Sequence, residues 1–532
     1  MTRQGEYQYE FTERLDQSPS NGWRQLFSDE LNLVKERNNE LKGRGATPPV
    51  WAQDLLQLSR VVYLADRLAL RKHAPDRWTR TIRLRLKLID DAPWRPHLPL
   101  LETLLATLTA DRWEISVSGG LMPRDDTVMF PGGRVSEVAL FSGGLDSFCY
   151  AAQRVQVDGE PLMLVTLYTG DRPLQQRLRK RLDALSQREV IAGEVPYQNL
   201  VPYRPRPPSC RRRKPLEPST RSRGLLFIAH GVYAAAANRV GQLAVPENGQ
   251  LALNPPLAPD RVAACSTRSV HPRTLELVNQ LIRGVGGDVE VVNPLLGYTK
   301  AEVCAQATAA GVDAAALAAT ISCGQPFQNR RGGPEHCGYC FPCLVRRAAL
   351  WQVLGADDRT RYLHDPWNED SESVGQHLLA LLTWLATPFS TSKLVADMPL
   401  PGTGSLADLV AVVERGRTDL RSYLDAVLPA DAPHRRWLAS AGRVPAPRPG
   451  SDGNSESLAL EREASPGQRS EPPPVRKTEP TPGQPAELAS GYGVEPPSAL
   501  GTEPPPGPGT GWSPPAPRTA PEGASEREQS EH

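Results

Sequence analysis

Residues 135–153 read VSEVALFSGGLDSFCYAAQ. A short apolar run ends at Phe141, a loop with two adjacent glycines follows, and small apolar residues then return at helical spacing. A strand that turns into a helix in this way restricts the chain to few folds. Such turns lie at the carboxyl edge of parallel sheets, where ligands bind. Gly143 and Gly144 permit positive φ and let the backbone approach a ligand closely. The helix that opens at Leu145 offers unpaired N–H groups and the positive end of its dipole. Ser142 and Ser147 add hydroxyls. Together these features describe a pocket for a phosphate or pyrophosphate. A Walker lysine is missing, because Gly-Leu-Asp-Ser stands where Gly-Lys-Ser/Thr is needed. Asp146 inside an anion site either holds Mg2+ or caps the helix.

The surrounding sequence alternates between strand and helix patterns. Strands are expected at 138–141, 162–168, 190–195, 242–245 and 289–292, with helices at 145–156, 173–187, 222–238, 272–284 and 299–310. Residues 135–354 therefore read as an α/β domain whose parallel sheet carries helices on both faces. Residues 1–134 read as a separate α+β domain, with helices at 54–70 and 98–108 and a strand at 113–117. Within it, Ile82, Leu84, Leu86 and Leu88 alternate with Arg83, Arg85 and Lys87, the pattern of a half-buried strand with a basic outer face. Solvation of an exposed or edge strand accounts for that face. Residues 355–443 form a helical annex. Much of the chain's complement of 53 prolines falls in 444–532, which has too little apolar surface to offset chain entropy and reads as a disordered tail.

Four of the 8 cysteines crowd into one segment. Cys337, Cys340 and Cys343 form C-x2-C-x2-C, and Cys323 stands before a Gly-rich loop. Four thiolates suit a closed tetrahedral Zn2+ site, more structural than catalytic, with an iron–sulfur cluster as the secondary reading. His336 adjoins the cluster, but four cysteines already complete the set. Cys149, Cys210, Cys265 and Cys304 lack metal spacing. Charge is balanced, with 61 Lys+Arg against 60 Asp+Glu, so no global field draws the chain to nucleic acid. The Arg-rich run at 204–215 reads as a solvated, Pro-containing loop. Neither an apolar leader nor a membrane-length apolar run is evident, so a cytoplasmic location and no membrane partner are expected.

The full S-G-G-x-D-S motif after an apolar strand resembles the signature of the PP-loop ATP pyrophosphatases, an adenine nucleotide alpha hydrolase-like (HUP) fold. The resemblance implies cleavage of ATP between its α and β phosphates, with adenylation of a carbonyl or carboxylate oxygen. It implies that Ser142, Gly143, Gly144, Leu145, Asp146 and Ser147 bind the pyrophosphate portion, with Asp146 and Ser147 in catalytic positions. The cluster Cys323, Cys337-Gly338, Cys340, Cys343, Arg346 is similar to that of the 7-cyano-7-deazaguanine synthase (QueC) family. SRGLLFIAHGVYAAAA adds Arg223 and Phe227, and NPLLGYTKAEV adds Lys300 as a phosphate contact with Thr299 as helix cap. This resemblance covers about 135–354 and implies ATP, Mg2+ and Zn2+ as cofactors.

The chain departs from that family after the fourth strand, where it has VPENGQLALNPPL with Glu247, Asn248 and Gly249. ACSTRSVHPRTL follows, with Ser266, Thr267, Arg268 and His271. These segments resemble more closely the QueC-like proteins of bacterial anti-phage defence, the QatC type of the Qat system. That likeness implies a 7-deazaguanine-type carboxylate as substrate, contacts from Glu247, Asn248, Arg268 and His271, and partner proteins from a defence operon. The expected activity is that of an ATP-dependent C–N ligase, in which an amine, ammonia or a protein N-terminus, displaces AMP. Alternatives are queuosine-precursor synthesis, a tRNA-modifying PP-loop enzyme, and an ATP-binding scaffold without turnover.

Overall fold

The computed structural model describes residues 5–429, except 13–17, 28–46, 123–134, 158–160, 169–171, 197–215, 220, 254, 256, 258–267, 325–334, 368–371, 396–397 and 401–404. The Pro-rich tail, the Arg-rich run at 204–215, Cys210, Cys265, Ser266 and Thr267 lie outside the described residues.

The N-terminal region contains β1 (Glu6–Thr12), β2 (Arg24–Phe27), α1 (Val50–Leu68), β3 (Thr81–Lys87), α2 (Leu98–Thr109) and β4 (Arg112–Ser118). Its sheet has the order β2-β1-β3-β4, and every pairing is parallel. This corrects the α+β expectation: the region is α/β. It also corrects the placing of the basic strand, because β3 is interior. Cross-strand pairing neutralises its polar face, with the Arg83 guanidinium 2.6 Å from Glu114 and 3.3 Å from Glu6. Arg85 lies over the Trp23 ring at 3.9 Å.

The following region contains β5 (Glu137–Leu140), α3 (Leu145–Arg154), β6 (Leu162–Tyr168), α4 (Arg172–Leu185), β7 (Val190–Pro196), α5 (Arg223–Ala237) and β8 (Gln242–Ala244). It continues with α6 (Gly249–Leu253), α7 (Pro272–Gly284), β9 (Glu290–Val292), α8 (Lys300–Ala309), α9 (Ala314–Ala318) and α10 (Phe341–Leu354). The sheet order is β7-β6-β5-β8-β9, all parallel. Successive strands run outward from β5 in one direction and then, from β8, in the other. The order reverses beside β5, which makes the carboxyl end of β5 the ligand crevice of such a sheet. Residues 142–147 lie there.

The two faces of this sheet have different neighbours. Val138 of β5 faces a core that runs through α5 and α7 into α1, α2 and the N-terminal sheet. Ala139 faces α3, α4, α8, α9 and α10. One core thus crosses the 134/135 boundary, and α5 is apolar almost all round because it lies between the sheet and α1. The annex supplies α11 (Glu372–Ala386), α12 (Thr391–Val395) and α13 (Leu406–Val427). It packs on α10 through Trp384, Leu385, Leu420 and Leu424. No described helix is long and apolar enough to cross a membrane.

Candidate functional site

The loop after β5 takes its shape from its own residues. Gly143 has φ +79°, a left-handed conformation that favours glycine. A Cβ on Gly144 would lie 3.1 Å from Ser142 Oγ and 3.2 Å from the Ile321 carbonyl oxygen, so a larger residue would crowd the loop. Gly144 N–H donates to Ser142 Oγ (3.1 Å), and Ser147 Oγ donates to the Gly144 carbonyl (3.1 Å). The two hydroxyl oxygens lie 3.2 Å apart. From outside, Gln175 Nε2 donates to the Ser142 carbonyl and Ile321 N–H to the Gly143 carbonyl, each at 3.1 Å. The loop is therefore held by its carbonyls, leaving the N-terminal N–H groups of α3 as its anion-binding feature.

Asp146 does not cap α3. Gly144 is the N-cap residue, without a side-chain cap bond, and the buried Asp146 carboxylate turns toward α8 and α6. Its Oδ2 lies 2.5 Å from Lys300 Nζ and accepts from Asn248 Nδ2 at 3.1 Å. The same amide nitrogen is 3.1 Å from Glu247 Oε1. Lys300 opens α8, whose N-terminus is a capping box between Thr299 and Glu302. Its backbone N–H donates to Gln250 Oε1 at 3.0 Å. Asn293 holds the Glu247 backbone on both sides, accepting from its N–H (3.2 Å) and donating to its carbonyl (2.8 Å).

The charges of this cluster do not balance if every group ionises: one ammonium faces two carboxylates. Burial opposes ionisation of Asp146, yet the Lys300 charge and hydrogen bonds from Glu247, Lys300 and Asn248 hold it below its ordinary value. Burial would lower Lys300, but Asp146 and then Glu247 raise it. Glu247 is pushed well above its ordinary value, first by burial and then by the Asp146 charge. These directions favour an ionised Asp146, a charged Lys300 and Glu247 as the carboxyl that keeps its proton. Among the described residues no nitrogen donor reaches the buried Asp146 Oδ1, and the Glu247 carboxyl bonds to the Asp146 carboxylate. A carboxylate so placed fits a hard cation such as Mg2+.

The cysteine cluster forms as its spacing implies. The sulfurs of Cys323, Cys337, Cys340 and Cys343 all lie within 4.8 Å of one another, and Cys337 Sγ is 3.7 Å from Cys343 Sγ. A tetrahedron with Zn–S of about 2.3 Å has S–S edges of about 3.8 Å. Backbone N–H groups of Gly324, Cys337 and Cys340 point at Cys340, Cys323 and Cys337 sulfurs, each at 3.4 Å, as suits thiolates. The four residues thus fit Zn2+. His336 stays outside the set, its Nε2 accepting from Ser322 N–H at 3.2 Å. Arg346, one turn beyond Cys343, donates to the Leu317 carbonyl (2.7 Å) and Thr320 Oγ1 (2.9 Å). It so ties α10 to the chain that carries Ile321 and Cys323.

Glu247, Asn248 and Lys300 therefore gather around Asp146, and three other sequence candidates do not. Arg223 is the exposed first residue of α5, its guanidinium 5.7 Å from the Phe227 ring centroid. Arg268 donates to the Thr107 carbonyl of α2 at 3.0 Å. His271 caps α7, its Nδ1 accepting from Arg273 N–H at 3.2 Å. Gln175, Gln250, Asn293 and Ile321 are the residues that sequence reasoning missed. Asn293 stands directly before Pro294 at the end of β9, the one of these with a local signal.

Residues 270–354 match the family model for the queuosine biosynthesis protein QueC. A 7-cyano-7-deazaguanine synthase of Cellvibrio japonicus (strain Ueda107) is 35% identical over 109 residues, 20% of this chain and 41% of that protein. The chain thus spans less than half the length of that relative. No solved structure matches. The family match includes Lys300 and all four clustered cysteines, while the loop at 142–147, Glu247 and the N-terminal sheet lie outside it. Over the matched segment the chain is QueC-like, and its parallel α/β sheet is consistent with a PP-loop domain.

Proposed function

We propose that the chain is an ATP-dependent, AMP-forming enzyme that activates a 7-deazaguanine-type carboxylate for attack by an amine. The observation that carries this reading is the buried Asp146–Lys300 pair at the carboxyl end of β5. ATP is here a substrate. The N–H groups of the first turn of α3, with Ser142 and Ser147, would bind the pyrophosphate as its charge develops. Lys300 would neutralise part of that charge. Mg2+, when bound, would be held through Asp146 and reduce repulsion between the phosphates and the incoming carboxylate. A carboxylate oxygen of the substrate attacks the α phosphorus, pyrophosphate leaves, and the amine then displaces AMP to form an amide. Glu247 and Asn248 would line the acceptor side. Arg223 would reach the nucleotide from α5, and Arg268 and His271 would act from the rim. Zn2+ would be held by Cys323, Cys337, Cys340 and Cys343 and supply fold stability.

The departure at Glu247–Asn248 and the additional N-terminal sheet support a protein N-terminus as the amine, as in the QatC type of anti-phage defence. The 35% identity to a 7-cyano-7-deazaguanine synthase favours a second reading, with ammonia as acceptor and a nitrile as final product. Incubation with ATP, 7-carboxy-7-deazaguanine and either ammonia or candidate partner proteins separates them. AMP with a partner mass shift supports the first reading. AMP with a nitrile and no mass shift supports the second. Absence of AMP in every combination contradicts both.

A further inference from the structure

The segment before α5 is held by the N-terminal region. Asp66 of α1 is fully buried, and its two carboxylate oxygens have separate tasks. Oδ1 lies 2.6 Å from Arg80, while Oδ2 accepts from Ser222 Oγ at 2.6 Å and Ser222 N–H at 3.2 Å. Ser222 immediately precedes Arg223. Further contacts fix the same segment. Arg71 N–H donates to Glu217 Oε2 at 2.8 Å, and Arg71 Nε to Ser219 Oγ at 3.2 Å. Glu217 N–H donates to the Arg67 carbonyl at 2.8 Å. Arg221 donates to the Thr109 carbonyl of α2 at 2.8 Å and lies 4.1 Å from the Trp78 ring centroid. On its other side, the helix start is packed so closely that a side chain at Gly224 would overlap Ser269.

These bonds fall on Glu217, Ser219, Arg221 and Ser222, and they add to the packing of α1 on α5. In a parallel α/β sheet the N-terminus of a crossover helix lies at the carboxyl edge of the strands, the ligand side. We propose that the N-terminal region is a positioning clamp for the α5 N-terminus, with Asp66 as the positioning residue that aims Arg223 through Ser222. This rests on the reading above that ATP binds at that edge. It gives the N-terminal sheet a part in nucleotide binding although none of its residues would touch ATP.

Ser222→Ala tests the clamp without stripping Asp66 from buried Arg80, which would endanger folding. The expected result is a rise of about ten-fold in the KM for ATP, with kcat within about two-fold of wild type, because misplacing a binding group costs ground-state and transition-state binding alike. Arg223→Ala is expected to raise the same KM. In the double variant the two losses should fail to add, since Ser222 acts through Arg223. A Ser222→Ala protein with wild-type KM, or fully additive losses, overturns the proposal. Mg–ATP binding to each variant by calorimetry keeps the clamp separate from the catalytic reading. Weakened binding in Ser222→Ala supports the clamp even if no substrate yields AMP, and unchanged binding overturns it.

Discussion

Two clusters of buried charge are built differently. In the N-terminal cluster Arg71 and Arg80 face Asp66 and Asp111, and Glu217 lies 3.8 Å from Arg71 Nε. Asp111 Oδ2 lies 2.7 Å from Arg71 and 2.6 Å from Arg80. Arg80 also donates to the backbone carbonyls of Asp66 and Ala69. The arginine fork and carboxylate leave no polar atom wanting, and Asp111 is held below its ordinary value: burial opposes this, but Arg80 and Arg71 prevail. The second cluster has Lys300 against Asp146 and Glu247, a compact ammonium in place of an arginine fork. The first ties elements of the N-terminal region to one another and to the segment before α5. The second lies at the carboxyl edge of the sheet, and a buried lysine there between two carboxyls with opposed shifts is the functional signal.

The sharpest way to break this contrast is to remove one partner from each cluster. Asp111→Ala leaves two buried guanidinium groups underpaired and should cost about 3–5 kcal/mol in urea unfolding. Lys300→Met should cost less, because Asp146 can take up a proton and leave both carboxyls neutral. It should nevertheless lower AMP formation by about 100-fold or more. Equal stability losses would remove the distinction. Next in size is the metal. Removing zinc by chelation should lower the melting temperature and loosen the loop through Ile321, which reaches both Gly143 and the chain leading to Cys323. Metal analysis should find about one zinc per chain. A chelated protein with an unchanged melt contradicts a structural metal.

A subtler test uses pH. Glu247 has a raised folded value, so the folded state binds its proton more tightly than the unfolded state, whose value is near the ordinary 4.5. Its stabilising contribution is complete below that value and is lost as pH rises through the window above it. Asp146 has a lowered value and acts in the opposite sense, losing its contribution as pH falls below the ordinary 3.8. Glu247→Gln mimics the protonated form. Its melting temperature relative to wild type should therefore climb as pH rises above about 5. A constant difference would contradict a protonated Glu247. Smallest of all, Arg83→Ala on the open sheet face should cost under about 1 kcal/mol, because that ion pair is solvent-screened.

Much of the α/β region was legible locally. The five strands and helices α3, α4, α5, α7 and α8 fall within a few residues of their periodic patterns, because each buries a regular face. In the N-terminal sheet β3 and β4 were legible, but β1, β2 and the parallel order were not. Tyr7, Tyr9 and Phe11 give β1 a period-two face, but its parallel pairing with β3 joins residues over seventy positions apart, and no local pattern encodes it. The interior place of β3 was hidden for the same reason: Arg83 reads as solvated until Glu6 and Glu114 come beside it. In the site, the four cysteines were legible from their spacing and Lys300 from the resemblance of its segment to a known family. Gln175, Gln250 and Asn293 were not, since a lone amide carries no spacing signal. The gathering of Lys300, Asn248 and Glu247 on Asp146 is a property of packing alone.

The contrast between the clusters comes down to one comparison of products. Wild type and Lys300→Met, both confirmed as folded at the assay temperature, are given α-phosphate-labelled ATP with 7-carboxy-7-deazaguanine and an amine donor, and nucleotides are separated by chromatography. If the Asp146–Lys300 pair serves the reaction, wild type releases AMP and the folded variant releases about 100-fold less or none. Release of ADP in place of AMP would contradict the reaction, and AMP at the wild-type rate from Lys300→Met would show that this cluster serves only the fold.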